Sequence, residues 1–433
     1  MELLIILYII LFAFIVWRRL DYGLFLFFFL LPTYLIRFHI GFLPMNLLEA
    51  KFWILFISFI LQRKKTQPLQ TLKGLLHNHK NFVYASLLFG LAATLSLWNN
   101  DHLSAAAGEW KAFYIEPMLF SFMLISFFSP TKKTNDRLIH FILFPLILSG
   151  LFTALLGIYQ HFTGWMVPWD FWENRDTFRV TAWYGFPNAV GLFLAPLYPF
   201  GIYMFFHGFH KWKRTAKISL PFIFSFIFLL LTPFALVFAK GSGPIIALTA
   251  GIGCLLLSHK KTRKPALLLA VIGIVGIFFL PTDSLLKQEI FMKNRSGQIR
   301  VQMWGETVEY LLHHPITGTR LASYQTELWP YRYDKWIEIF HHPHNIFLTL
   351  WVNLGFLGIF TFLWILVDFF FMGVRHMQLY KRSTSLIPFI LSAMIVFVVS
   401  GLVDSPYIKN DLSFLFWSIL ALSIIVIHDS KYA

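Results

Sequence analysis

The stretch "FHHPHNIFLTLWVNLGFLGIFTFLWILVDFFFM" (Phe340–Met372) decides the fold class. Its apolar part, Ile346–Met372, contains one charged residue, Asp368, and is long enough to cross a hydrocarbon layer of ~30 Å. Similar runs recur along the 433 residues, which are 57% hydrophobic and 13% charged. Because about a quarter of the residues in a soluble protein are charged, this composition predicts an all-α polytopic membrane protein.

The apolar runs predict a single transmembrane domain over residues 1–433 with about 12–13 transmembrane helices. Met1–Val16 is interpreted as a retained first span, because no small-residue cleavage site follows it. The predicted spans are Met1–Val16, Leu24–Ile36, Asn46–Leu61, Phe82–Leu97, Phe113–Phe128, Leu138–Tyr159, Ala189–Phe206, Leu220–Phe238, Ile245–Leu257, Ala266–Leu280, Ile346–Met372, Leu386–Leu402 and Phe414–Ile427.

The charge distribution predicts the topology. The formal net charge is +15, which in a soluble protein would suggest a nucleic-acid partner. Here the excess lies in short loops such as "QRKK", "TKKTNDR", "KWKRTAK", "HKKTRK" and "RHMQLYKR", which share one side if the spans alternate. Cytoplasmic loops carry such an excess of Lys and Arg. We therefore place these loops in the cytoplasm and predict contact with membrane lipid and none with nucleic acid.

Two long loops fall on the opposite side, at residues 160–188 and 281–345. Apolar residues recur at helical spacing between Gln298 and Leu312, and the run stops before Pro315. These residues are Ile299, Met303, Trp304, Val308, Leu311 and Leu312. We expect the 281–345 loop to be extracytoplasmic and to contain surface helices that cover an active-site cavity.

Cationic residues at this face suggest a phosphate-binding site. The guanidinium groups of Arg179 and Arg300 could form paired hydrogen bonds with phosphate oxygens, and Lys240 would add a third charge. The alternative is that these side chains bind lipid headgroups or cap helix C-termini. Asp404 is expected to face the same cavity, or else to be a helix-end charge in water.

The histidines of "HHPHN" suggest acid–base chemistry. His342 and His344 flank Pro343, whose fixed φ should keep the backbone extended and point both rings the same way. Imidazole titrates near neutral pH, which suits a general base. Two histidines without a Cys or Glu cluster are too few for a zinc site. The chain also has no Gly-rich phosphate loop, so we expect no metal and no cofactor.

Three segments resemble the family of O-antigen ligases and lipid-linked oligosaccharide polymerases. "HPHNIFLTLWVNLGFLGIF" has its His-Asn pair and Gly-x-x-Gly, and "RVQMWGETVEYLLHHPITG" has its Arg, Trp and His-Pro-x-x-Gly. "FRVTAWYGFPNAVGLFLAP" resembles its Arg and Pro-Asn segment. The turn "KGSGP" departs from the family's Ser-Arg-Gly, with Ser242 at the arginine position and Lys240 nearby.

The resemblance implies a metal-independent glycosyltransferase of the bacterial cytoplasmic (inner) membrane, acting on its extracytoplasmic face. It would move glycan from an undecaprenyl-diphosphate-linked donor to a lipid, glycan or protein acceptor. Arg179 and Arg300 would hold the diphosphate, and His344 would take the acceptor proton. The resemblance and the position of the residues place these further substrate-binding residues beside them: His342, Asn345, Asn188, Lys240, Trp304 and Asp404.

Other functions remain open at the level of the sequence. A polysaccharide repeat-unit polymerase or a protein O-oligosaccharyltransferase of the same family would carry the same motifs. A transporter of lipid-linked glycans would instead place charged residues along a path at mid-membrane. Charged residues within the predicted spans are sparse and concentrate at one face, which disfavours transport.

Overall fold

The computed structural model describes residues 2–41, 43–62, 67–128, 134–172, 174, 178–335, 340–380 and 385–429. It is a helical protein, so the predicted all-α polytopic membrane fold is confirmed. Within the described residues, five helices are long and apolar enough to cross a membrane, and they are Thr134–Thr163, Asn188–Thr215, Leu220–Phe238, Ile346–Leu379 and Asn410–Asp429.

The first half of the chain forms mostly short apolar helices. Two π-helical turns, Trp110–Ile115 and Ile139–Leu143, each join two α-helices, and a 3₁₀ turn covers Leu31–Leu35. The helices are α1 (Glu2–Arg18), α2 (Leu20–Phe29), α3 (Leu47–Leu61), α4 (Pro68–Asn78), α5 (Lys80–Leu95), α6 (Leu103–Glu109), α7 (Glu116–Phe127), α8 (Thr134–Leu138) and α9 (Phe144–Thr163).

The second half has the longer helices and the segments of the predicted site. Short 3₁₀ turns lie at Asp170–Trp172 and Trp329–Tyr331. The helices are α10 (Asn188–Thr215), α11 (Leu220–Phe238), α12 (Ser242–Ser258), α13 (Arg263–Phe279), α14 (Leu285–Ile290), α15 (Arg295–His313), α16 (Tyr324–Glu327), α17 (Ile346–Leu379), α18 (Ile387–Ser400) and α19 (Asn410–Asp429).

Each predicted span coincides with a helix, although several of these helices are short. The predicted span Leu24–Ile36 is the most broken, because α2 has 10 residues and ends before the 3₁₀ turn. The number of membrane crossings therefore stays a prediction. The sequence also missed a β-hairpin, in which β1 (Arg37–Ile40) pairs antiparallel with β2 (Leu43–Asn46). Strands of four residues are too short to give a clear alternating pattern.

Helix α19 lies at the centre of the bundle and α11 at its edge. Of the apolar part of α19, 89% of the residues are buried, against 28% of those of α11. Helix α19 packs against α7 and α18, and α18 in turn packs against α10 and α12. Helix α17 packs along α5. The C-terminal helices thus form the core on which the loop segments of the candidate site are placed.

The predicted loop helix is present as α15, and its apolar stripe has two different surroundings. Met303 and Leu311 are buried in the protein, whereas Val308 and Leu312 are exposed. Glu306 and Thr307 are also buried, and each has an internal polar partner. Glu306 pairs with Arg332 (Nε–Oε2 3.5 Å), and the Thr307 hydroxyl lies 2.8 Å from that of Tyr324. An apolar side that also includes Val301 is therefore left uncovered by protein.

Candidate active site

One cavity of about 100 Å³ collects residues from five separate segments. It lies between the segment before α10, the turn between α11 and α12, helices α14 and α15, and the turn after α18. Five residues singled out from the sequence line it together: Arg179, Asn188, Lys240, Arg300 and Asp404. The other lining residues are Gly241, Ser242, Gly243, Pro244, Glu289, Ser296 and Val403.

Arg179 is partly committed to the protein itself. Its Nε donates to the carbonyl of Ala239 (2.9 Å), and Nη2 donates to Lys240 O (3.1 Å) and to Asn188 Oδ1 (2.9 Å). It therefore caps the C-terminal end of α11, as the alternative interpretation proposed. Burial lowers the pKa of Arg179, with Glu289 opposing and Arg300 adding to that shift. No bond to Nη1 is seen among the described residues, so this group is available to a ligand.

Arg300 has a different environment from Arg179. It is half-buried on α15 and lines the cavity without a hydrogen bond to any described residue. Lys240 is exposed and lines the same cavity from the turn before α12. Arg300 is therefore the guanidinium of this cavity whose donors are most available to an anion.

Asp404 joins the cavity to the histidines. His344 Nδ1 lies 3.1 Å from Asp404 Oδ1, and Asn188 Nδ2 donates to Asp404 Oδ2 at 3.2 Å. Burial acts to raise the pKa of Asp404, but the hydrogen bond from His344 holds it below its ordinary range. Because a carboxylate only accepts hydrogen bonds, His344 Nδ1 must carry a proton. In neutral His344, Nε2 is then the basic nitrogen.

His342 lies beside His344, with ring centroids 4.9 Å apart. Burial lowers the pKa of His342 to about 3, and the adjacent His344 contributes to the same shift while Asp404 opposes it. His342 is therefore neutral throughout the physiological range. Its Nδ1 is buried and has no hydrogen-bond partner among the described residues. The two rings are in edge-to-face contact, with 78° between their planes.

The backbone at the histidines is not extended, so that part of the prediction is wrong. His344 has φ +49°, in the left-handed region that few non-glycine residues adopt. The chain is turned there by Trp304, whose Nε1 donates to Pro343 O (2.8 Å), and by Ile346 N, which donates to Gly401 O (2.7 Å). Strained backbone held in this way is typical of functional sites.

Two of the predicted substrate-binding residues make structural contacts. The Asn345 side chain accepts from the backbone N–H groups of Phe347 (3.0 Å) and Leu348 (3.1 Å), which caps the N-terminus of α17. It also donates to Leu402 O (3.0 Å). Trp304 holds the carbonyl of Pro343, as described above. Contact of Asn345 and Trp304 with a substrate stays a prediction.

The glycine motifs meet at a break in α17, away from the cavity. Gly355 has φ +66° within that helix, so its backbone is left-handed. Phe356 N donates to Ile316 O (3.1 Å), and Thr319 N donates to Val352 O (2.7 Å). A Cβ atom on Gly355 would overlap the Ile316 carbonyl oxygen. The His-Pro-x-x-Gly segment thus supplies the partners that the broken helix loses.

The sequence did not indicate Glu289. It lies in the cavity with Arg179 and Arg300, but the segment "LLKQEI" resembles any short surface helix. No group of three or more His, Cys, Asp or Glu side chains within the described part of the chain could hold a metal ion. The chemistry that the side chains themselves offer is an aspartate-oriented imidazole beside a cationic pocket.

A comparison with known protein families gives a match to part of the chain. Residues 224–363 match a family model described as O-Antigen ligase, which confirms the resemblance found in the sequence. The match includes the turn with Lys240, helix α15 and the start of α17, whereas Arg179, Asn188 and Asp404 lie outside it. No curated protein matches the chain.

Proposed function

We propose that this chain, a multi-pass membrane protein of the O-antigen ligase family, transfers a glycan from a lipid-linked diphosphate donor to an acceptor hydroxyl. The family supports a membrane glycosyltransferase of the ligase or polymerase type. The observation that carries the finer proposal is the His344–Asp404 pair at the edge of a cavity lined by three cationic side chains.

The cationic walls suit the diphosphate of the donor. Arg300, the Nη1 group of Arg179 and Lys240 come from three separate segments that line the cavity and would bind its oxygens. Negative charge on the diphosphate increases as it leaves. Donors placed beforehand around such a group stabilise it more in the transition state than in the ground state. We assign Arg179 and Arg300 to this task, with Lys240 and Asn188 completing the pocket.

His344 supplies the acid–base step of this proposal. The acceptor oxygen forms a bond to the anomeric carbon of the glycan while the bond from that carbon to the diphosphate oxygen breaks. The diphosphate leaves with the electron pair, and the hydroxyl proton moves to Nε2 of His344. Asp404 orients the ring and stabilises the imidazolium that results. No step in this scheme requires a metal ion or another cofactor.

The proposal places the cavity on the extracytoplasmic side of the bacterial inner membrane. The loops 160–188 and 281–345 would then cover it from outside, as the charge of the cytoplasmic loops predicts. Tyr333 is 63% exposed and tests this. A Tyr333→Cys protein carrying Cys254→Ser should react with an impermeant maleimide in intact cells. Labelling only after permeabilisation would contradict the assigned topology.

The activity itself is tested with purified protein in lipid nanodiscs. A synthetic undecaprenyl-diphosphate glycan is supplied with a lipid A core, a growing polymer or a protein as acceptor. We expect released undecaprenyl diphosphate and glycosylated product with one of these acceptors, in the presence of EDTA. Donor that binds but stays intact with every acceptor would refute a transferase and favour a binding or transport function.

A further inference from the structure

Glu289 is a carboxylate inside the proposed diphosphate pocket. It is half-buried on α14 and lines the same cavity as Arg179 and Arg300. Its Oε2 accepts from the Ser242 hydroxyl, and its Oε1 accepts from Asn294 Nδ2 (2.6 Å). Asn294 in turn caps α15, because its Oδ1 accepts from Gly297 N (2.7 Å). Glu289 is thus held in place by neutral hydrogen-bond donors.

The charge of Glu289 works against an anionic ligand. The cavity contains three cationic side chains and two carboxylates. Asp404 is bound to His344 and Asn188. Glu289 forms no ion pair within 4.0 Å among the described residues, so its charge is not neutralised by direct contact with one cation. It reduces the positive potential of the whole pocket instead. A pocket built only for tight binding of diphosphate would not place a carboxylate there.

The charge of the diphosphate increases during the transfer, and this offers a role for the carboxylate of Glu289. The diphosphate in the donor is substituted at both ends, whereas in the product only the lipid remains attached. The product therefore gains a further ionisable oxygen and more negative charge. Cations that stabilise the departing diphosphate also hold the product, and this slows turnover when product release limits the rate.

We propose that Glu289 sets the net charge of the pocket so that the lipid diphosphate product is released. The residue neither touches the reacting atoms nor moves a proton. It competes electrostatically with the product for Arg179, Arg300 and Lys240. This inference rests on the proposed function, since it assumes that the cavity binds a diphosphate. It makes Glu289 a residue that determines product affinity and not bond formation.

Glu289→Gln separates charge from hydrogen bonding. A glutamine at this position can still accept from Asn294, and its amide can donate to the Ser242 oxygen, so both bonds persist without the charge. Glu309→Gln is the matched control, because Glu309 lies on α15 outside the cavity and accepts from Tyr333 OH (2.8 Å). Melting temperatures of the three proteins report whether either change disturbs folding.

The binding experiment uses inorganic diphosphate and a water-soluble prenyl diphosphate as probes. We expect Glu289→Gln to bind the prenyl diphosphate about tenfold more tightly than wild type, or on the order of 1.4 kcal/mol. The difference should shrink as salt increases, because it comes from a partly exposed charge. In turnover, kcat and KM should both fall, while the rate of a single turnover stays near that of wild type.

The outcomes separate this inference from the proposed function. Equal or weaker prenyl diphosphate binding by Glu289→Gln, when wild type binds the probe, would refute the role of Glu289 alone. A gain in affinity that does not depend on salt would also refute it, since a packing change and not charge would be the cause. Absence of saturable binding to wild type and both variants would overturn the diphosphate pocket and with it the proposed transferase.

Discussion

The segment just before α17 and a position within that helix carry residues of the same family signature and use them differently. Two residues before the helix, His344 has a strained backbone and a titratable side chain that reaches Asp404 at the cavity. Further along the helix, Gly355 also has a left-handed backbone, but it has no side chain and its surroundings are backbone carbonyl and N–H groups. The first region supplies a titratable side chain to the cavity, whereas the second holds the loop after α15 against α17.

This difference shows that a signature motif can combine a reactive group with the structure that positions it. The break at Gly355 fixes Ile316 and Thr319 to α17, and these residues follow directly after α15, which carries Arg300. The same helix, α17, begins two residues after His344. The break therefore ties the proposed diphosphate ligand to the proposed base, although neither glycine nor carbonyl would touch a substrate.

The strongest contrast is expected from His344→Ala. Loss of a general base typically reduces the rate by about 10²–10⁴-fold. The ring is only a fifth exposed and bonds to Asp404, so the melting temperature should also fall, and rates are compared at equal amounts of folded protein. Turnover of a purified lipid-linked donor measures the effect. His341→Ala is the control, since that ring is exposed and no bond to it is seen among the described residues. Full activity of His344→Ala would mean that His344 is not the general base of the reaction.

Arg300→Lys should have the next largest effect. A lysine keeps the charge but cannot form the paired hydrogen bonds of a guanidinium to phosphate oxygens. Loss of one charge-assisted bond costs about 1.5–3 kcal/mol, so kcat/KM should fall by roughly ten- to a hundredfold. Arg295→Lys, on the exposed start of the same helix, is the matched control. Equal kcat/KM for both variants would mean that Arg300 acts only as a diffuse charge.

Much of the fold follows from the sequence, because apolar length alone identifies helices that face lipid or each other. Each predicted span overlaps a helix, although Leu24–Ile36 does so only over its first part. Alternation of the spans predicts that Asp404 and His344 share one face of the membrane, and the two side chains are indeed in contact. The break at Gly355 could not be foreseen, since the apolar run continues through it unchanged. Hydrophobicity indicates how long a helix is. It does not indicate that one backbone carbonyl of the helix, that of Val352, bonds to a loop residue outside the helix.

The side-chain roles at the site were harder to foresee than their location. Trp304 and Asn345 were expected to contact substrate, yet the structure shows them bonded to backbone at Pro343 and Leu402. Glu289 gave no signal, because one acidic residue on a short helix has many ordinary explanations. Such roles depend on contacts between segments far apart in the chain, which local patterns do not encode.

Gly355→Ala tests the second region directly and should act on stability first. A residue forced into left-handed backbone costs about 1–3 kcal/mol, and the added Cβ would also overlap the Ile316 carbonyl. We expect a lower melting temperature, with activity falling in proportion to the protein that remains folded. Gly273→Ala on α13 is the control, because a Cβ there meets no atom within 4 Å. A stable but inactive Gly355→Ala protein would mean that Gly355 contributes directly to activity and has more than a structural role.

Trp304→Phe tests the hydrogen bond that holds the backbone before His344 against α15. The change removes the hydrogen bond to Pro343 O and keeps an aromatic ring. A neutral hydrogen bond contributes about 0.5–1.5 kcal/mol, so turnover should fall by no more than about tenfold with the KM for donor nearly unchanged. Trp329→Phe, with a ring that is 48% exposed, controls for the loss of an indole in the same loop. A large rise in donor KM would place Trp304 in contact with substrate.

We expect the exposed apolar side of α15 to make the protein sensitive to the thickness of its bilayer. Val301, Val308 and Leu312 are exposed, as in a helix that lies at the lipid headgroups. On this proposal the lipid surface would set the depth of Arg300, whereas α17 would set that of His344. Lipids with longer or shorter acyl chains should therefore change the depth of Arg300 relative to that of His344. We therefore expect transfer in nanodiscs to peak at one chain length, and Leu312→Ser to broaden that optimum.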